Sequence, residues 1–291
     1  RNPRRDKQRT QRPRECIRCS HYRKEEVYQI ITFTIMITTI LAVAKNTFRE
    51  TMRDRILLSA LAVIIAIILF TLFIGSISLD QSARIITNFS VTAIYILQIF
   101  VAVFIGSMLM YKEIERKTFY LIFPKPVTRT QIVIGKCLGL SATTLLVTFI
   151  CTLFLFGLLA FKGGTAFFVP IIISTLLTSV EAMLLILISL LFSSFTSPIL
   201  AAVATITLYF VGHASDIFQY IFKTTESPSL EAVTSAIYHI LPNLEKFNIR
   251  NDIVYNSLPA MPSIALSLVY ASVYAVFLLY LTHLIIKKKD L

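Results

Sequence analysis

Three groups of side chains in this sequence have types and spacings that could do chemistry. Near the N-terminus, Cys16, Cys19 and His21 form a C-x-x-C-x-H cluster of the ligand types that zinc accepts. The second half of such a site does not follow, and the surrounding residues are rich in arginine and poor in apolar side chains, so the segment reads as a basic tail. Glu181 lies near the middle of a long uncharged stretch, where placing an acid in a bilayer costs roughly 2.5–3.5 kcal/mol. It is therefore expected to face protein or a wet cavity. There it would be part of a translocation path or a proton-linked switch, or else a protonated acid hydrogen-bonded to serines and threonines across a helix interface. His213 and Asp216 stand three residues apart and would share a helix face. At about 1.5 Å of rise per residue, His213 falls close to the depth of Glu181, which leaves a pairing open. A polar cluster near the outer surface is the simpler expectation for His213 and Asp216, because two such side chains do not complete a metal shell.

No G-x-x-x-x-G-K-[ST] phosphate loop, H-E-x-x-H zinc helix or G-x-S-x-G elbow occurs in the chain. Gly106-Ser107 could serve an intramembrane serine protease, but such a pair inside an apolar run more often marks a close-packing surface. The chain is expected to be no enzyme and to hold no metal or cofactor of its own.

The elements that must position these residues are membrane helices. Of 291 residues 56% are hydrophobic and 15% charged, with mean hydropathy +0.74, so the chain cannot present an ordinary aqueous surface. The fold class expected is an all-α integral membrane protein. Six charge-free stretches are long enough for a ~30 Å hydrocarbon core, at about 56–79, 86–111, 137–161, 166–192, 198–222 and 263–286. With both termini in the cytoplasm, 23 of the 28 lysines and arginines fall on the inner side, as the positive-inside bias requires. That bias also accounts for the net charge of +12 better than a nucleic-acid partner does. Cys137 and Cys151 lie inside apolar sequence and do not suggest a disulfide framework.

Residues 27–44 could just cross a bilayer, but crossing there would reverse every later span and the charge bias with it. Residues 37–55 are read instead as an amphipathic interfacial helix, with Ile37, Leu41, Ala44, Phe48 and Met52 on one stripe and Lys45, Arg49 and Arg53 on the next. Met36 heads this segment, so translation is expected to start there, leaving 1–35 as an upstream extension or poorly ordered tail. Peptides covering Tyr28 to Ile35 in the mature protein would contradict this. Outside the membrane the main segment is 223–262, where Ser227-Pro228 begins a short surface helix with Leu230, Val233, Ile237 and Leu241 on one stripe, ending at Pro242.

Between the second and third spans lies the polar stretch 112–136. Glu113, Glu115, Arg116 and Lys117 continue one helix into the cytoplasm, Pro124 and Pro126 stop it, and Thr128 with Gln131 forms a T-x-x-Q capping box for the next. Phe119, Tyr120, Leu121, Ile122 and Phe123 gather at the bend. They would rest among lipid headgroups or dock in a groove of a soluble partner.

"NTFRETMRDRILL" at 46–58, "KEIERKTFYLIFPKPVTRTQIVIGK" at 112–136, "LTSVEAMLLILISLLFSSFTSPILA" at 177–201, "VGHASD" at 211–216 and "LPNLEKFNIRNDIV" at 241–254 together resemble a permease subunit of the ABC-2 class of ATP-binding-cassette transporters. The nearest subgroup is the one that includes the permeases of nitrous-oxide reductase maturation. The resemblance covers about Met36 to the C-terminus, and residues 1–35 have no counterpart in it. It implies six membrane helices after an interfacial helix, in the cytoplasmic membrane with both ends inside, and a homo- or heterodimer of permease chains on a separate ATPase that supplies ATP and Mg. It also implies an exporter with no nucleic-acid partner, and an ATPase-coupling role for 112–136. There the candidate contacts are Glu113, Glu115, Lys117, Phe119, Tyr120, Phe123, Pro124, Pro126, Arg129 and Lys136, with the turn "SSFTSP" at 193–198 as a second point of contact or merely a turn. The alternatives are a non-transporting anchor or immunity-type complex that docks an ATPase and, more remotely, an intramembrane enzyme. Cargo is unspecified, with lipid-like or amphipathic molecules slightly favoured because the spans hold almost no charge.

Overall fold

In a computed structural model of the chain, residues 34–77, 81–115, 128–162, 164–215, 241–250, 252 and 260–288 are described. These residues are helical with no strand among them, and five helices are long and apolar enough to cross a bilayer. Helix α1 covers residues 34–52. Helix α2 spans Arg55–Ile77, and its start is capped by Asp54, whose Oδ1 accepts from the Ile56 amide at 2.9 Å. Next come α3 (Ser82–Phe100), a π-turn (Val101–Ile105) and α4 (Gly106–Glu115), which together form one long rod. The remaining helices are α5 (Arg129–Phe161), α6 (Phe168–Ser193), α7 (Pro198–His213) and α8 (Met261–Lys288).

Helix α6 is central and touches α3, α4, α5, α7 and α8. In their most apolar stretches the α3–α4 rod and α6 each have 72% of their residues buried, against 22% for α2 and 17% for α8, so the last two are the outer members. Their free faces are apolar, with Phe70, Phe73, Leu266, Val273 and Val276 all exposed. Water would not tolerate so continuous a surface; lipid does. The chain is thus an integral, multi-pass membrane protein.

Three hydrogen bonds fix how the rod α3–α4 lies against α6. Tyr95 OH donates to Glu181 Oε1 at 2.7 Å, Ser189 Oγ to the Val103 carbonyl at 3.2 Å, and Ser193 Oγ to the Ser107 carbonyl at 2.8 Å. In each the partners are 86 positions apart, so the helices run parallel and in register. The Val103 carbonyl lies in the π-turn and accepts from both the Gly106 amide and Ser189 Oγ. Gly106 supports the same contact, as a Cβ there would stand 2.9 Å from Ser189 Oγ. The Gly106-Ser107 pair is accordingly part of a packing surface.

The fifth expected span is represented by α7. With 16 residues it is about 24 Å long, short of a full crossing alone, and residues 216–222 lie outside the described ones. Its start is fixed by Ser197 at the N-cap and Pro198 in the first turn.

Helix α1 forms, but its apolar stripe divides. Ile37 and Leu41 are exposed, whereas the line against the bundle runs through Ile40, Val43, Thr47 and Thr51. Gly135 and Gly139 on α5 decide this: a Cβ at Gly135 would meet Val43 at 2.7 Å, and one at Gly139 would meet the Ala44 carbonyl at 2.5 Å and Thr47 at 2.7 Å. This G-x-x-x-G surface accepts β-branched and small residues at close approach and turns the longer side chains outward. Lys45, Arg49 and Arg53 are exposed as expected.

Candidate functional site: a polar ring at one end of the bundle

Glu181 is wholly buried near the midpoint of α6, and its partners are neither serine nor threonine. Its Oε1 accepts from Tyr95 OH at 2.7 Å and lies 2.9 Å from His213 Nε2. On the same helix Ser179 accepts from Gln98 Nε2 at 3.0 Å and donates to the Thr175 carbonyl. Oε2 of Glu181 is buried without a hydrogen-bond partner among the described residues.

His213, the last residue of α7, is held from both sides. Its Nδ1 lies 2.7 Å from Glu245 Oε2, while Nε2 lies 2.9 Å from both Glu181 Oε1 and Tyr95 OH. A neutral imidazole has one N–H, so both carboxylate contacts are satisfied only when the ring is protonated or one carboxyl supplies the missing proton. Tyr209 OH adds a 3.1 Å contact to Tyr95 OH, and its ring meets that of His213 edge to face at 4.7 Å.

Glu245 and two further members come from residues 241–250. Asn248 Nδ2 donates to Glu245 Oε1 at 3.0 Å, Arg250 Nε donates to Asn248 Oδ1 at 2.9 Å, and the Arg250 guanidinium stands 3.8 Å from the centre of the Tyr95 ring. The result is a closed ring, Glu181–His213–Glu245–Asn248–Arg250–Tyr95, built from α3, α6, α7 and one inserted segment.

That segment lies within the bundle end rather than upon it. Leu244 and Phe247 are fully buried, Asn243 N donates to Tyr270 OH at 2.9 Å, and Lys246 stands 4.4 Å over the Tyr270 ring on α8. Gly212 admits it, because a Cβ there would meet the Pro242 carbonyl at 2.7 Å and Leu244 at 2.9 Å. Gly212→Val is expected to unseat the segment at a cost of ~1–3 kcal/mol. Amide hydrogen exchange over 241–250 should rise about tenfold or more, and unchanged protection would contradict the packing.

Of the residues singled out in the sequence, Glu181 and His213 come together; Asp216 lies outside the described residues. Tyr95, Tyr209, Glu245, Asn248 and Arg250 escaped sequence reasoning. For the last three the signal was faint, a short segment, "LPNLEKFNIRNDIV", too polar for its apolar setting. Cys137 and Cys151 are free and buried, and Cys16, Cys19 and His21 lie outside the described residues.

At the other end of the bundle, α4 reaches Glu115 and α5 restarts at Arg129. The capping box forms, with the Thr128 amide donating to Gln131 Oε1 at 3.0 Å. The side chains of Glu113, Glu115 and Arg129, and residues Lys117, Phe119, Tyr120, Phe123, Pro124 and Pro126 entirely, lie outside the described ones. Lys136 is described, and it faces inward: it is 1% exposed and its Nζ donates to the Leu109 carbonyl at 3.0 Å. So buried an ammonium offers no surface to a second protein and instead fastens α5 to α4. The "SSFTSP" turn presents Phe195 outward, while Ser194 is buried and donates to the Leu191 carbonyl. Thr130 Oγ1 and His283 Nδ1, 2.7 Å apart, bring the last turns of α8 to this same end.

Residues 41–291 match a family model described as ABC-2 family transporter protein. No curated protein matches the chain.

Proposed function

This chain belongs to the ABC-2 transporter family and is a membrane permease subunit; from that premise we propose that it moves cargo by conformational change driven by a separate ATPase chain. Residues 112–136 are the coupling element in this reading. The observation that carries it is the Lys136 bond to Leu109, which ties the two arms of that hairpin. A push on the bend then moves α4 and α5 as one body, and the register between α4 and α6 passes the movement to the bundle core.

Six crossings with both termini cytoplasmic complete the proposal. It is supported by α7 starting at the hairpin end and Tyr270, near the start of α8, meeting the segment at the opposite end, which requires 198–260 to carry the chain across. Helix α1 lies along the inner membrane surface, with Ile37 and Leu41 in the apolar layer and Lys45, Arg49 and Arg53 toward anionic headgroups. The working unit is a pair of permease chains on two ATPases in the cytoplasmic membrane, acting in export. Within the family the maturation-permease subgroup is the nearest relation proposed, on the quoted segments. A non-transporting anchor that docks the same ATPase differs only in whether cargo crosses.

The test is co-purification with a phosphate-loop ATPase chain, followed by ATPase measurement in membranes. Phe119→Asp and Arg129→Glu should each weaken docking by ~2 kcal/mol, about thirtyfold, and remove membrane-dependent stimulation. If both variants keep the complex and the stimulation, the bend is not the coupling element.

A further inference from the structure

We propose that Glu181, His213 and Glu245 form a proton-binding site, loaded from the side of residues 241–250, and that the bound proton latches that segment into the bundle. The site itself stands on geometry; only its use in a transport cycle rests on the function proposed above.

The geometry has a direction. The side chain of Glu245 is 37% exposed, that of His213 15% and that of Glu181 0%, and the contacts joining them are 2.7 and 2.9 Å. A proton taken up by the Glu245 carboxylate can pass from Oε2 to His213 Nδ1, while the proton on Nε2 moves to Glu181 Oε1. The imidazole is left as its other tautomer, reset when the proton returns by the same route. No electron moves and no other reactant is needed. At Glu181 the second oxygen, Oε2, has no hydrogen-bond partner among the described residues, so no donor there opposes a carboxyl in place of a carboxylate.

Charge explains the latch. The groups facing His213 are Glu181 from α6, Tyr95 from α3, Tyr209 from α7, and Glu245 with the nearby Arg250 from the inserted segment. With the proton present, on the imidazole or on Glu181, the ring is neutral overall, since Arg250 and that proton together balance the two carboxylates. Without it the ring carries one uncompensated negative charge in a buried place, a state that favours withdrawal of Glu245 to water. Because Glu245, Asn248 and Arg250 belong to one short stretch, withdrawal of the first loosens all three. Loss of the proton and release of the segment are therefore one equilibrium, with the sign that rising pH opens it.

The experiment needs only the full chain in lipid nanodiscs. Hydrogen exchange of 241–250 is followed from ~pH 5 to ~pH 8, the range in which histidine titrates, after correction for the intrinsic pH dependence of exchange. In the unaltered protein, protection should fall about tenfold or more across one transition. His213→Gln should abolish the transition and leave the segment poorly protected throughout. Glu245→Gln, at the exposed edge and so less disruptive, leaves the unprotonated ring neutral, with Glu181 balanced by Arg250, so the segment should stay seated as pH rises and the fall in protection should shrink to less than about threefold. Protection that is flat with pH in the unaltered chain, or a transition that neither substitution changes, overturns the proposal. If His213→Gln does not yield folded protein, the Glu245→Gln result decides alone. None of these outcomes depends on an ATPase, so failure here leaves the coupling proposal standing, and failure there leaves this one.

Discussion

Glu181→Leu should destabilise the folded chain by ~3–5 kcal/mol, the cost typical of removing one member of a buried ionic pair. Tyr95 OH and His213 Nε2 both lose the carboxylate and are left with each other and with Tyr209 OH. Glu181→Gln is the instructive contrast. Its amide oxygen still accepts from Tyr95 and can accept from an imidazole N–H, so the loss should be less than half as large. Thermal unfolding of both variants in one detergent measures the difference. Equal melting temperatures for the two would mean that the carboxylate's hydrogen bonds contribute nothing to the fold. If Glu181→Gln also retained full transport and coupled ATPase activity while Glu181→Leu lost assembly, the residue's contribution would be structural.

Gly139→Val should be the most damaging substitution at the α1–α5 contact. The obstacle is the Ala44 backbone carbonyl, 2.5 Å from the added Cβ, with Thr47 Cβ at 2.7 Å. A flexible side chain could swing aside, but a helix backbone cannot. Overpacking of this kind costs typically ~1–3 kcal/mol, and a backbone clash belongs at the upper end. Helix α1 is expected to separate from α5, and limited proteolysis within 34–54 should accelerate about tenfold or more. Gly157 provides the control, since a Cβ there meets nothing within 4 Å: Gly157→Ala on the same helix should leave cleavage unchanged.

What could be read from the sequence was whatever depends on composition or local spacing. Long uncharged runs marked the helices now seen as α2, α3–α4, α5, α6 and α8, and Thr128 with Gln131 gave the start of α5 because a capping box spans only four residues. The partners of Glu181 were hidden for the opposite reason. Tyr95 lies 86 positions away and, in a membrane helix, looks like any other tyrosine. The partner of α1 in the bundle was not legible, because periodicity reports which residues share a stripe, not which neighbour they meet. Two glycines on another helix settled that. Residues 241–250 have polar side chains at the right places for a loop in water, and only the burial of Leu244 and Phe247 reveals that this loop is part of the core.

The constant offset of 86 positions between the α3–α4 rod and α6 also bears on how the protein is made. At about 5–20 residues per second, roughly 4–17 s pass between synthesis of a residue on the rod and its partner on α6. Throughout that interval the rod waits in the translocon or the bilayer with one polar flank uncovered. The residues it exposes, Tyr95, Gln98 and Ser107, are all neutral and tolerable there. The acid, far costlier to expose, is carried by α6 and arrives when the hydroxyl of Tyr95 is already in place to receive it. The sequence order of neutral polar group first and charge second thus spares the nascent chain its most expensive intermediate.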